Sequence, residues 1–178
     1  MSDGELLRVL GEIRRRGGIG RGDLADEVAH ARQYVAALPI VSGRLIDLGS
    51  GGGLPGLVIA ATSVDWRVAL VERRAKRADL LRFGVAALAL GARVTVHAVD
   101  VFSSVDLLGP AADVVSARSF AAPLTVLSAA FPLLRPGGLV LVSDPPGGSR
   151  RWSHADLDEL RFDDLGRIGT VHRFRRRL

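Results

Sequence analysis

Between residues 22 and 38 the apolar positions fall at Leu24, Val28, Ala31, Val35 and Leu38. Steps of four and three put them on one stripe of a helix, with Asp23 placed as its cap and Pro39 as its stop. A shorter helical pattern over 5–16 precedes it and ends at Gly17-Gly18. Past residue 40 the period changes. Residues 45–48 are a short strand, apolar but for Asp47, that runs into Gly49-Ser-Gly-Gly-Gly, and Pro55 is placed to open a helix through Ala61. The alternation then repeats. A strand over 66–71 closes at Glu72, and a helix over 75–90 is stopped by Gly91. A strand over 93–98 reaches Asp100, and another covers 112–116. A helix from about 123 to 134 precedes Pro136-Gly-Gly and a strand over 139–143. Ser153-His-Ala-Asp156 has the spacing of a capping box, and a last strand is expected over 167–175.

Strands that alternate with helices and read apolar on both faces predict a parallel sheet covered on both sides. The expected fold class is α/β: a doubly wound, mostly parallel sheet. One domain is expected over 1–178, with a helical segment over 1–40 leading into a ligand-binding α/β core over 41–178. Ligands of such sheets bind beyond the carboxyl ends of the strands, where the winding reverses. That rule singles out Asp47, Glu72, Asp100 and Ser116-Ala-Arg118.

Composition narrows the chemistry. The chain has 178 residues, 48% hydrophobic and 24% charged, an ordinary globular balance. It has no cysteine, which excludes disulfides, cysteine-held metals and a thiol nucleophile. The histidines His30, His97, His154 and His172 are scattered, so no metal site is expected. No apolar run has membrane-spanning length, and the start Met1-Ser-Asp-Gly-Glu leads into no apolar stretch. The expectation is a cytoplasmic monomer with no membrane partner. The net charge is +5, and Lys76 is the only lysine among 24 cations. Arginine suits phosphate and guanine because its fork is planar and bidentate. A GC-rich genome would produce the same bias.

The most informative segment is Asp47-Leu-Gly-Ser-Gly-Gly-Gly-Leu-Pro-Gly56. Glycines let a backbone take left-handed conformations and let a ligand approach closely; the helix that follows offers free N–H groups. Gly51, Gly53 and Gly56 satisfy the dinucleotide spacing, with Glu72 at the distance of a ribose carboxylate. Asp47 weighs against a pyrophosphate, because it sets a negative charge beside the loop. S-adenosylmethionine carries no phosphate but an ammonium and a sulfonium, and an acidic neighbour favours it. Asp47, Gly49, Ser50, Gly51 and Glu72 are thus expected cofactor contacts, with Asp100 placed for an adenine amino group.

These residues resemble a known family. Asp47-Leu-Gly-Ser-Gly-Gly-Gly-Leu-Pro-Gly56 is similar to the cofactor motif of the glucose-inhibited division protein B family. Val115-Ser-Ala-Arg118-Ser-Phe-Ala and Phe131-Pro-Leu-Leu-Arg-Pro-Gly-Gly138 resemble two further segments of it, so the likeness spans roughly 22–145. The resemblance implies a Rossmann-like class I methyltransferase fold. It also implies methylation of guanine N7 in small-subunit (16S) ribosomal RNA with S-adenosylmethionine. It carries cofactor contacts to Gly49, Leu54, Val99, Asp100 and Arg118, with Arg118 beside the reacting base. Three positions depart from the pattern. Ala98 stands where the family has an arginine, Ser143-Asp144 where it has Lys-Gly, and the chain stops at Leu178 without the family's basic tail.

Guanine N7 has a free lone pair, so this chemistry requires no general base. RNA phosphates require cations, and the candidates are Arg14, Arg15 and Arg16 with Arg21; Arg150 and Arg151; and Arg173 with Arg175, Arg176 and Arg177. The alternatives left open are a methyltransferase for a small molecule or protein, a nicotinamide-dinucleotide oxidoreductase, and a non-catalytic RNA-binding module.

Overall fold

The computed structural model describes residues 2–119, 121–143 and 152–178. Two helices lead, α1 (Asp3–Arg15) and α2 (Leu24–Ala36). The core follows as β1 (Gly43–Leu48), α3 (Gly56–Thr62), β2 (Trp66–Val71), α4 (Ala75–Ala87) and β3 (Val94–His97). It continues with a 3-10 turn and α5 (Val105–Leu108), β4 (Ala112–Ala117), α6 (Pro123–Ala130) and β5 (Leu134–Ser143). The chain finishes with α7 (His154–Glu159), β6 (Phe162–Ile168) and β7 (Val171–Arg176).

The seven strands form one sheet in the order β3-β2-β1-β4-β5-β7-β6. β1 to β5 run parallel, while β7 lies antiparallel to both β5 and β6. The winding reverses between β1 and β4, so the carboxyl ends of those strands form the crevice. Side chains alternate along β1: Leu45 packs with α1, α2, α3 and α4, whereas Ile46 and Leu48 pack with α5, α6 and α7. This is the doubly wound, mostly parallel α/β architecture that the apolar runs predict.

Local chemistry sets the helix ends. Asp23 caps α2, its Oδ1 accepting the Ala25 and Asp26 amides at 2.7 and 3.2 Å. Ser153 caps α7 by accepting the Asp156 amide at 3.1 Å, as the capping-box spacing requires. Four expectations need correction. The helix expected to reach residue 90 ends at Ala87, and its left-handed turn falls on Ala89 (φ 53°), not on Gly91. The Leu90 amide donates back to the Val85 carbonyl and closes the helix there. The helix expected to reach 134 ends at Ala130, where a 3-10 turn containing Pro132 takes over, and β5 starts at Leu134 instead of 139. The strand over 93–98 is trimmed to Val94–His97. The single last strand is a hairpin, β6 and β7, turning through Gly169 (φ 59°).

Candidate functional site

The loop after β1 is built by short hydrogen bonds. The Ser50 amide donates to the Val71 carbonyl at 3.0 Å and the Gly53 amide to Ser50 at 2.7 Å. Gly49, Gly51 and Gly53 all have positive φ, which side chains resist. A Cβ at Gly56 would stand 2.6 Å from Asp47 Oδ2, so only glycine lets α3 start this close to the strand.

Asp47 is fully buried. Its Oδ1 accepts the Ser116 hydroxyl at 2.7 Å from its register partner on β4. Its Oδ2 has no hydrogen-bond partner among the described residues. Burial pushes its carboxyl up to about 6, against the restraining hydrogen bond from Ser116. Glu72, only 6% exposed, ties two elements together. Its Oε2 accepts the Gly51 amide at 3.0 Å, and its Oε1 accepts the Arg74 amide at the start of α4 at 2.8 Å. Two carboxylate oxygens hold more lone pairs than these two bonds use.

Glu72, Gly49 and Asp100 line one pocket of about 310 Å³ beyond the strand ends. The rule for doubly wound sheets brings these three together as expected. The pocket also takes in Phe102 and a cationic rim of Arg73, Arg74 and Arg77. Sequence reasoning missed these four, although Arg73-Arg-Ala-Lys-Arg77 directly after a strand-end carboxylate was the available signal. Phe102 is 58% exposed, and its amide donates to Asp100 Oδ1 at 3.0 Å. A flat ring beside a carboxylate matches a heteroaromatic amine, stacked on its face and bonded at its edge.

The other expected contacts lie elsewhere. Ser50 is buried and donates to the Asp47 carbonyl at 2.8 Å; Leu54 packs on the core, and Val99 on the cluster of the opposite face. Gly51 reaches the pocket only through Glu72. Arg118 is half-buried and pairs with Glu27 of α2. One turn along that helix, His30 Nε2 has no partner among the described residues; burial and then the Arg118 charge lower its pKa. Tyr34, fully buried, donates to the Ala117 carbonyl at 2.9 Å and accepts the Ser143 amide at 2.8 Å, bracing the ends of β4 and β5.

The two arginine clusters among the described residues do not converge. Arg14 donates to the Arg21 carbonyl at 2.9 Å, while Arg15 and Arg16 pair with Glu12. This group stands beside the glycine loop, where a Cβ at Gly52 would come within 2.5 Å of the Gly18 carbonyl. Arg173 donates to the Leu165 carbonyl, and Arg175 and Arg177 pair with Asp163. Arg176 lies 4.1 Å over the Phe131 ring. All four belong to the hairpin. Arg150 and Arg151 lie outside the described residues. Among the described residues no helix is long and apolar enough to cross a membrane, and no three His, Asp or Glu side chains gather as a metal site would require.

A family model described as rRNA small subunit methyltransferase G matches residues 27–144. The ribosomal RNA small subunit methyltransferase G of Rhodopseudomonas palustris is 40% identical over 112 residues, which cover 62% of this chain and 49% of that protein. Its counterpart in Leptothrix cholodnii is 42% identical over 120 residues, covering 65% and 53%. The chain thus spans about half the length of the curated relatives it matches. A SAM-dependent O-methyltransferase from Thermotoga maritima superposes with a TM-score of 0.66 at 18% identity, over 96% of this chain and 71% of that one. An O-methyltransferase family protein from Burkholderia thailandensis gives 0.65 at 18%, over 84% and 57%. At such identity the likeness is one of fold, the Rossmann-like class I methyltransferase fold.

Proposed function

Because this chain belongs to the rRNA small subunit methyltransferase G family, we propose that it methylates a guanine of small-subunit ribosomal RNA. The methyl donor is S-adenosylmethionine and the acceptor atom is N7. The observation that carries this reading is the charge arrangement at the strand ends. Glu72 and Asp100 line the pocket, and the guanidinium-bearing residues Arg73, Arg74 and Arg77 line it beside them. A cationic donor fits the first and a polyanionic acceptor the second.

The residues fit the donor. Asp47 Oδ2, buried and without a partner among the described residues, sets a negative potential behind a glycine loop where a Cβ at Gly52, Gly53 or Gly56 would collide with its neighbours. That potential suits an ammonium and a sulfonium and repels a pyrophosphate, against a dinucleotide. Glu72 would hold ribose hydroxyls, while Asp100 and Phe102 would hold the edge and face of an adenine. When bound, the donor supplies a methyl group on a positively charged sulfur. The lone pair of guanine N7 needs no proton removed, so the chain's task is to orient and to exclude water. None of the four histidines is required as a base. Arg118 is the group to orient the base, through its O6, once its pairing with Glu27 is loosened. A base within folded RNA must be turned out of its stack to reach such a pocket. Such a reaction would take place in the cytoplasm, with the ribosomal subunit as the protein's partner.

Calorimetric titration with S-adenosylhomocysteine, on wild type, Asp47→Ala and Arg118→Ala, tests the donor site. Wild type is expected to bind, and Asp47→Ala to bind at least tenfold more weakly, about 1.4 kcal/mol. Absence of binding to wild type would sink the reading. Labelled methyl incorporation into undermethylated small subunits tests the acceptor; label on added protein or small molecules instead would reassign it.

A further inference from the structure

We propose that the hollow between the end of α1 and the start of α4 is a docking surface for the phosphates of the RNA substrate. It rests on the reading of the neighbouring pocket as one for RNA methylation. Arg16, at the end of α1, joins Arg74, Lys76 and Arg77 around an open cavity of about 400 Å³. Arg74 and Arg77 line both this hollow and the donor pocket, so the two are continuous.

Among the described residues the cations at the start of α4 have no counter-charge, unlike many arginines of the chain. Elsewhere arginines meet carboxylates: Arg32 with Asp3, Arg82 with Asp79, Arg135 with Asp113, Arg177 with Asp158. Between residues 73 and 77 there are four cations, and among the described residues none of their side chains has an ion-pair or hydrogen-bond partner. The first turn of α4 holds no acidic residue. The adjoining carboxylate, Glu72, is turned inward by its bonds to the Gly51 and Arg74 amides. Arg16 is already positioned, paired with Glu12 at 2.6 Å and lying 4.7 Å over the Phe83 ring.

Like charges crowded together without a counter-charge destabilise a surface unless an anion joins them. The cations come from two helices around an open hollow, so they fit a run of successive phosphates better than one. A polynucleotide gripped here would have its nucleobases beside Gly49 and Ser119 at the pocket wall. The basic hollow would hold the strand while the pocket takes the base, a division in which phosphate contacts position and the pocket specifies.

The test is binding of the full chain to transcribed small-subunit RNA across a salt series, for wild type, Lys76→Ala, Lys76→Arg and the double variant Arg16→Ala/Lys76→Ala. Neither residue lines the donor pocket, so S-adenosylhomocysteine titration reports that pocket separately. Lys76→Ala is expected to weaken RNA binding about threefold to tenfold, and Lys76→Arg to restore it. The double variant should lower the slope of log affinity against log salt by about 1.5 to 2, near one unit per phosphate contact. Wild-type affinity and slope in the double variant, with RNA still methylated, would overturn the docking surface and leave the function standing. Wild type that takes up S-adenosylhomocysteine but neither binds nor methylates RNA would overturn both. Equal competition by polyglutamate would overturn RNA as the occupant in favour of an acidic protein.

Discussion

The two ends of the sheet use the same residue types in opposite ways. At the hairpin, Arg173, Arg175 and Arg176 of β7 and Arg177 just beyond it each find a carboxylate or a carbonyl of their own chain. Where α4 starts, Arg73, Arg74, Lys76 and Arg77 find none among the described residues. Aromatic rings divide likewise. Phe174 of the hairpin is fully buried, its centroid 4.5 Å from those of Trp152 and His172, whereas Phe102 stands 58% exposed at the pocket. Carboxylates complete the contrast. Hydrogen bonds from Arg177 and then Arg175 hold Asp163 below its ordinary value, while burial holds Asp47 above it. One end pairs its charges within the fold, although Trp152 Nε1, His172 Nδ1, Arg173 Nε and Arg176 Nε have no partner among the described residues. The other carries unmet charge and exposed ring surface, which the proposed ligands would satisfy.

The largest expected effect separates the two phenylalanines. Phe174→Ala removes a ring from a closed cluster and should cost about 3–5 kcal/mol of unfolding free energy. Phe102→Ala should change stability by less than about 0.5 kcal/mol. It should instead weaken S-adenosylhomocysteine binding by about 1–3 kcal/mol, the range of base–aromatic stacking. Urea denaturation and calorimetry on both variants check this. Equal losses of stability would erase the contrast.

Much of this division was legible in sequence. Parallel strands buried on both faces read as continuous apolar runs, so the strands from β1 to β5 and the strand-end carboxylates Glu72 and Asp100 stood out. The hairpin did not, because Asp163, Asp164, Gly166 and Arg167 break up β6 with charge and glycine. That strand is held by pairing with β7, which no local pattern records. The basic hollow was half legible. Arg74, Lys76 and Arg77 fall within four residues of each other in sequence, but only folding sets Arg16 beside them, through packing of α1 on α4. Arg118 read as a pocket residue because its sequence neighbours end β4. Its partner Glu27 is 91 positions away, beyond reach of any motif.

Next in size is the pH response of Asp47. Its folded-state carboxyl titrates near about 6, above the ordinary 3.8. A raised acid keeps its proton longer in the folded protein, so its contribution is fullest below about 4 and is lost as pH climbs to about 6. At about 1.4 kcal/mol per unit, the loss is about 3 kcal/mol. His30 and His97, whose pKa values burial lowers, act oppositely: stability returns as pH rises toward 6.5. The difference between wild type and Asp47→Asn isolates the carboxylate. It should grow in favour of the variant from about pH 4 to 6, and parallel curves would refute the assignment. At the hairpin the sign reverses, because the lowered Asp163 contributes above 3.8 and less as acid protonates it.

Arg176→Ala comes third. Nη1 of Arg176 donates to the Phe131 carbonyl at 3.1 Å and to Leu134, and the guanidinium covers the Phe131 ring. Losing these bonds and the stacked cation should cost about 1–3 kcal/mol. RNA affinity should stay within twofold of wild type, whereas Lys76→Ala moves the two readouts the other way round. A loss of RNA binding in Arg176→Ala without a loss of stability would place this arginine in the interface, as its charge alone first implied.

The smallest effect belongs to Arg175→Ala, and its smallness is informative. Arg175 donates to Asp163 Oδ2 at 3.0 Å, but Asp163 keeps Arg177 on its other oxygen at 2.8 Å. The carboxylate is therefore not left alone when Arg175 goes. Both partners face water, where ion pairs contribute little and salt screens what remains. The unfolding midpoint should shift less than in Arg176→Ala, and the shift should vanish at high ionic strength. RNA affinity should vary with salt as steeply as in wild type. A flatter dependence would mean that Arg175 meets phosphate despite its carboxylate, and that answered and unanswered cations do not divide the surface as the two ends of the sheet imply.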